Sequence, residues 1–355
     1  MIGHFKEQRI LLEEYVRFPS TRFRGSKLKI VDWIWEGIQG FKFQTVLDAF
    51  GGTGSVAYFL KKKGKTVTYN DILKFNYYIG SALIENDSVT LSGMDVNFLL
   101  SRHPGIIYPT FITETFKGIY YIEEENRWID MVVANIQLLD NAYKQALAYF
   151  ALFQACIAKR PFNLFHRKNL YLRFADIRRD FGNKVTWDTS FDVHFRRYAR
   201  EANNAVFSNK QRNQAVNLDI FDLKGDFDLV YIDTPYISRK GVGVDYLGFY
   251  HFLEGLVNYE TWPHRIDYRS KHKRLKTKTS VWTDKNKIYS AFDKLCERFQ
   301  DSILIISYRS DGIPSIEELA GVLGKYKRKI HEIKRKDYRY ALSKNETEEV
   351  ILIGE

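Results

Sequence analysis

Four consecutive residues, Asp233-Thr234-Pro235-Tyr236, combine a carboxylate, a backbone carbonyl held extended by the proline after it, and an aromatic ring. Such a group suits a planar amine. The Asp233 carboxylate and the Thr234 carbonyl can each accept one N–H of an exocyclic amino group while the Tyr236 ring stacks on the heterocycle. An aromatic amine is a poor nucleophile because its lone pair is delocalised into its own ring. Two acceptors that hold its hydrogens let the nitrogen pyramidalise, so orientation and electrostatics supply most of the rate. This chemistry needs no metal.

A second constellation is the turn Gly51-Gly52-Thr53-Gly54, followed by Ala57 and, further on, Asp71. Glycines here let backbone approach a ligand closely beside a helix N-terminus, and the acidic residue stands near the distance expected of a ribose-hydroxyl partner. Nicotinamide dinucleotide and S-adenosylmethionine both carry an adenosine that uses such a crevice. The turn by itself does not choose between them.

Both constellations need elements to position them. Val46-Leu-Asp48 reads as a short apolar strand, the glycines as a turn, and residues 55–63 as a helix ending at Gly64. The β-branched run 66–71 reads as a second, parallel strand. Residues 227–236 form another buried strand stopped by Thr-Pro, residues 302–307 a further one, and Ser315 with Glu318 a capping box ahead of a helix. Strands near 328–337 and 348–353, around Leu342-Ser-Lys-Asn345, close the sheet edge as a hairpin. The expected fold is therefore α/β: a Rossmann-like, mostly parallel core with a C-terminal antiparallel hairpin, from residues 1–84 and 216–355. Between its halves lies an insertion, 85–215, far longer than a βα loop and helical by pattern over 128–139 and 142–159, with Asp140 as a cap between those two helices.

The chain has 355 residues, 45% of them hydrophobic, which excludes wholesale disorder. It carries 54 Lys and Arg against 43 Asp and Glu, and the excess is local. Residues 159–215 hold 13 cations against 5 anions and residues 261–290 hold 9 against 2, so two basic patches ride on a near-neutral body. Cations alternate with rings over 161–174, an arrangement suited to a polyanion whose bases stack. The second patch, within a core loop at 240–290, is expected to grip phosphates. Two cysteines, Cys156 and Cys296, frame neither a disulfide fold nor a Cys-rich zinc site and are expected to be buried and inert. No apolar stretch reaches the roughly 18 residues of a membrane span, and charges crowd the N-terminus, so the expectation is a cytoplasmic protein and a monomer.

Three motifs, in order, resemble the Dam-like, alpha-group adenine-specific DNA methyltransferases. Arg22-Phe-Arg-Gly-Ser-Lys27 is similar to the family's Arg-Trp-Ala-Gly-Gly-Lys, Asp48-Ala-Phe-Gly-Gly-Thr-Gly54 to its Asp-Pro-Phe-x-Gly-x-Gly, and residues 233–236 to its Asp-Pro-Pro-Tyr. The resemblance covers residues 20–85 and 216–355. It implies S-adenosylmethionine as cofactor and double-stranded DNA as partner, with a cognate restriction endonuclease a further possible partner. Carried over by position, it implies that Lys27, with Arg24 beside it, meets the cofactor's methionine carboxylate. It likewise implies that Asp48 binds the amino end, Phe50, Gly51, Gly52 and Gly54 shape the pocket, Asp71 takes the ribose hydroxyls, and Asp219 and Phe221 contact the adenine. Departures are Ala49 and Thr234 where the family often has proline, Arg24 and Ser26 in the first element, and the size of the insertion. The same chemistry on RNA adenine, cytosine N4 or a glutamine amide is the nearest alternative. A nicotinamide oxidoreductase would leave residues 233–236 and the basic insertion unexplained, and for a non-catalytic DNA-binding module Asp233→Ala would change nothing measurable.

Overall fold

The structure is a computed structural model that describes residues 16–175, 184–276, 279–337 and 347–355. The chain divides into two units: residues 24–80, 209–246 and 277–355 form one, and residues 1–23, 81–208 and 247–276 the other.

The first of these is built on a seven-stranded sheet in the order β3-β2-β1-β4-β6-β9-β8. β1 (Thr45–Asp48), β2 (Thr66–Asn70), β3 (Gln214–Val216), β4 (Leu229–Ile232) and β6 (Ile303–Arg309) run parallel; β9 (Glu348–Gly354) pairs antiparallel with β6, and β8 (Ile330–Asp337) antiparallel with β9. A separate two-stranded ribbon pairs β5 (Ile237–Ser238) with β7 (Gly312–Ile313). All four residues of β4 are buried, as a central strand covered on both faces requires. The helix Ile288–Arg298 buries Ile288, Ala291, Phe292, Leu295 and Cys296, a single helical stripe laid on that sheet. The helix Ile316–Leu323 starts with the Ser315/Glu318 capping box. The residues joining β8 to β9, including 342–345, lie outside the described residues.

The chain goes from β1 outward through β2 to β3, then crosses to β4 on the other side of β1. Strand order therefore reverses between β1 and β4, and the carboxyl ends of these two strands form the crevice where open α/β sheets take ligands.

The other unit is mainly helical. The helix Ala142–Ala158 is buried at every position from Ala146 onward, so it runs through the middle of the unit rather than along its surface. Its cap is Asn141, whose side chain accepts from the Tyr143 and Lys144 amides, and not Asp140 as the sequence suggested. The loop 240–290 was expected in the core, but 247–276 belongs to this helical unit. The reason is aromatic: the helix Tyr246–Leu256 buries Phe252, which stacks on Phe165 at 5.1 Å and meets Phe116 edge-on. The boundaries accordingly fall at 81 and 208 rather than 85 and 215.

Several cations counted toward the first basic patch are structural. Lys159 and Arg173 are buried around Glu125, at 2.9 and 2.6 Å, and Arg160 is spent on the Leu164, Tyr120 and Arg167 carbonyls. Cys156 and Cys296 are free and buried, and burial pushes both thiols up, Cys296 to about 12. Among the described residues, no helix is long and apolar enough to cross a membrane.

Candidate active site

The glycine turn is fixed by packing as much as by backbone freedom. Gly52 and Gly54 have φ of 50° and 75°, the left-handed region that glycine occupies without strain. Gly54 caps the helix Ser55–Lys62, and its amide bonds the Gly51 carbonyl at 2.8 Å. A Cβ on Gly51 would lie 2.0 Å from the Tyr69 ring, and one on Gly80 would lie 2.3 Å from the same ring. Tyr69 is thus clamped between two glycines, and its hydroxyl donates to the Gly52 carbonyl at 2.7 Å. The turn is tied to the N-terminal element by the Thr53 hydroxyl, which donates to Ser26 Oγ at 3.4 Å.

Two acidic residues close the turn. Asp48 ends β1 and is 2% exposed; burial, then the nearby Asp233 and Asp71 carboxylates, push it up to about 8. Amides of Ala57 and Phe50 temper that rise. Asp71 accepts from the Gly52 amide at 2.9 Å and the Leu73 amide at 2.8 Å, and burial raises it as well.

Residues 233–236 leave the end of β4, next to β1. Asp48 lies opposite Tyr231 in register, so Asp233 follows two residues beyond Asp48's neighbour on the adjacent strand. The two carboxylates sense each other electrostatically, as the raised Asp48 shows. The loop around Gly52 and the tetrad thus open on one edge of the sheet.

Asp233 does not stand alone. Lys27 Nζ lies 3.2 Å from its Oδ1, the Tyr236 hydroxyl donates to the same oxygen at 2.8 Å, and Lys27 also donates to Tyr236 Oη. Burial pushes Asp233 up to about 6, with Lys27 opposing the rise and Glu349 adding to it. The Lys27 ammonium, 4% exposed, is pressed down by burial but raised on balance by Asp233 and Glu349. Thr234 is buried, and its Oγ1 has no hydrogen-bond partner among the described residues.

In this structure the Lys27 ammonium, expected at the cofactor's methionine carboxylate, engages the buried Glu349, the partly buried Asp233 and Tyr236. Tyr236 was expected to offer its ring for stacking. That ring is 5% exposed, edge-on to Tyr308 at 5.3 Å and beneath Lys27, since its hydroxyl is bonded inward.

Phe50 and Phe221 flank Trp282, at 5.0 Å edge-on and 5.8 Å stacked, in a half-buried aromatic wall. Asp219 is exposed and bonds the Phe221 amide at 3.1 Å, which orients that ring rather than aiming the carboxylate inward. Arg24 is half-buried at the start of the 24–80 segment. Sequence reasoning missed Glu349, Ser307 and Trp282. Glu349 had a signal, an acidic residue at the head of the apolar run Val350-Ile-Leu-Ile353; Trp282 was hidden in a stretch read for its cations.

The chain is 32% identical over 322 residues to the Type II methyltransferase M2.HphI of Haemophilus parahaemolyticus, a match covering 88% of this chain and 90% of that one. It is 26% identical to the Type II methyltransferase M.FokI of Planomicrobium okeanokoites and 27% identical to Modification methylase StsI of Streptococcus sanguinis, and spans about half the length of each, 46% and 47%. The family profile for D12 class N6 adenine-specific DNA methyltransferases matches residues 23–300, and the chain belongs to that family.

Proposed function

We propose that this chain methylates the N6 amino group of an adenine flipped out of double-stranded DNA, with S-adenosylmethionine as donor and Asp233 as the residue that orients the amine. The observation that carries the reading is the placement of Asp48 and Asp233 on neighbouring parallel strands at the point where strand order reverses. The residues fit the donor. A buried carboxyl raised to about 8 suits a ligand bearing an ammonium and a sulfonium, and the turn at Gly52 and Gly54 allows backbone contact. When bound, S-adenosylmethionine supplies an electrophilic methyl group on sulfur.

Asp48 would hold the donor's amino end and Asp71 its ribose hydroxyls, while Phe50, Phe221 and Trp282 wall its adenine. Asp233 and the Thr234 carbonyl take the two N–H groups of the target amine and aim its lone pair. The amine held there would accept the donor's methyl group, the C–S electron pair being left with the donor, and would then give up one proton to water. Flipping is required because a stacked, paired amine cannot present that lone pair in line; it costs a few kcal/mol. Exposed Arg167 and Lys168, with Arg269 and Lys271, would meet the phosphates. The chain is proposed to act as a monomer beside a cognate restriction endonuclease.

The test is expression in a host lacking adenine methylation, with modified positions read by single-molecule sequencing. N6-methyladenine at one short sequence is expected from the wild type, and none from Asp233→Ala, which should retain donor and DNA binding. Methylation by Asp233→Ala, or modification of cytosine or RNA instead, would overturn the reading.

A further inference from the structure

The Lys27 ammonium is shared. Besides Asp233 Oδ1 it engages Glu349 Oε1 at 2.7 Å, and Glu349 is fully buried on β9, where the Ser307 hydroxyl donates to the same Oε1 at 2.6 Å. Arg309, opposite Glu349 in register, bonds Asp311. A buried lysine facing a single carboxylate would pair with it fully, and a fully ion-paired Asp233, though still ionised, is a weaker acceptor. We propose that Glu349 is a positioning residue for methyl transfer: by drawing the Lys27 ammonium partly to itself, it leaves Asp233 less fully paired and so a stronger acceptor for the amine. This inference rests on the reading of Asp233 given above.

The charge balance makes the role specific. Two carboxylates and one ammonium leave a net charge of −1 beneath the amine, matched to the positive charge that nitrogen acquires as it is methylated. Replacing Glu349 by glutamine keeps the shape and the hydrogen bond from Ser307 but brings the group to zero. The groups facing Asp233 are Lys27, Glu349, Tyr236, Asp48 and Tyr231. Among them Glu349 raises Asp233 and Lys27 lowers it. Removing Glu349 therefore shifts Asp233 toward lower values while making it a poorer acceptor.

The experiment is single-turnover methyl transfer from tritiated S-adenosylmethionine to plasmid DNA from a methylation-deficient host, measured across pH. For Glu349→Gln the plateau rate should fall about tenfold or more, with the acid limb displaced to lower pH and donor binding unchanged. Glu349→Asp, with its carboxylate drawn back one methylene, should displace the limb part of the way. Ser307→Ala loses a buried hydrogen bond but no charge, and should leave the limb in place. A wild-type limb in Glu349→Gln, or an equal displacement in Ser307→Ala, overturns the proposal. Should Glu349→Gln not fold, a wild-type limb in Glu349→Asp overturns it alone. Asp233→Asn run alongside separates the two readings: if it is active the amine-acceptor role itself fails, and if it is inactive a null result at Glu349 counts against Glu349 alone.

Discussion

Two carboxyls in the site titrate far from their usual range, and they do so with different consequences. Asp233, held near 6, is ionised at neutral pH and loses its acceptor strength below that value. Methyl transfer should therefore fall about tenfold per pH unit below about 6, a slope read from the pH dependence of the single-turnover rate. Asp48, near 8, bears on stability instead. Its folded-state value lies above its unfolded one, so the protonated form is favoured by folding, and that contribution is complete below about pH 4 and lost as pH rises toward 8. The melting temperature of the ligand-free protein should decline over that window, and Asp48→Asn should flatten the decline. Scanning calorimetry in a pH series checks this; an unchanged slope in Asp48→Asn would show that other groups set it.

At the level of elements, the glycine turn and β2 form one packed object. The Tyr69 ring fills the space between Gly51 and Gly80 and cannot retreat, because its hydroxyl is held by the Gly52 carbonyl. Gly51→Ala should cost about 1–3 kcal/mol by overpacking and displace the turn, raising the Kd for S-adenosylhomocysteine. Gly40→Ala, at a site open to solvent with nothing within 4 Å, is the matched control and should be near neutral in the same urea titration. The capping box of Ser315 was legible because caps are local: Ser, then Glu three residues on, ahead of an apolar run. The Asn141 cap was misplaced by one residue because Asp and Asn cap equally well and chain geometry alone chooses between neighbours.

For the molecule as a whole, charge counting located the basic segments but could not say how they are arranged. The stretches around 167 and 270 both lie in the helical unit, and one hydroxyl ties them together: that of Tyr120 is within 2.5 Å of the Phe165 carbonyl and 2.8 Å of the His272 carbonyl. His251, kept neutral near 3 by burial, completes the node at 2.8 Å. The two stretches are thus neighbours, exposing Arg167, Lys168, Arg269 and Lys271 while burying Lys159, Arg160 and Arg173. Arg167→Gln with Lys168→Gln, and Arg269→Gln with Lys271→Gln, should each flatten the log–log salt dependence of DNA binding by about 0.9 for every phosphate no longer neutralised. Fluorescence anisotropy at several salt concentrations measures the slopes. If a pair leaves its slope unchanged, its segment does not touch the backbone.

What the sequence determined by itself was whatever is encoded locally: strand, glycine turn and helix around Asp48, the Thr-Pro stop after β4, the capping box, and the residue types that a methyl-accepting amine requires. Tertiary structure decided which of those groups meet. Lys27 and Glu349 stand at opposite ends of the chain, and nothing in their neighbours announces a shared ammonium, yet antiparallel addition of β9 beside β6 brings Glu349 under Asp233. Burial then fixed the outcome. A buried cation enclosed with Glu349 and a partly buried Asp233 takes its partners in this structure from the packing around it.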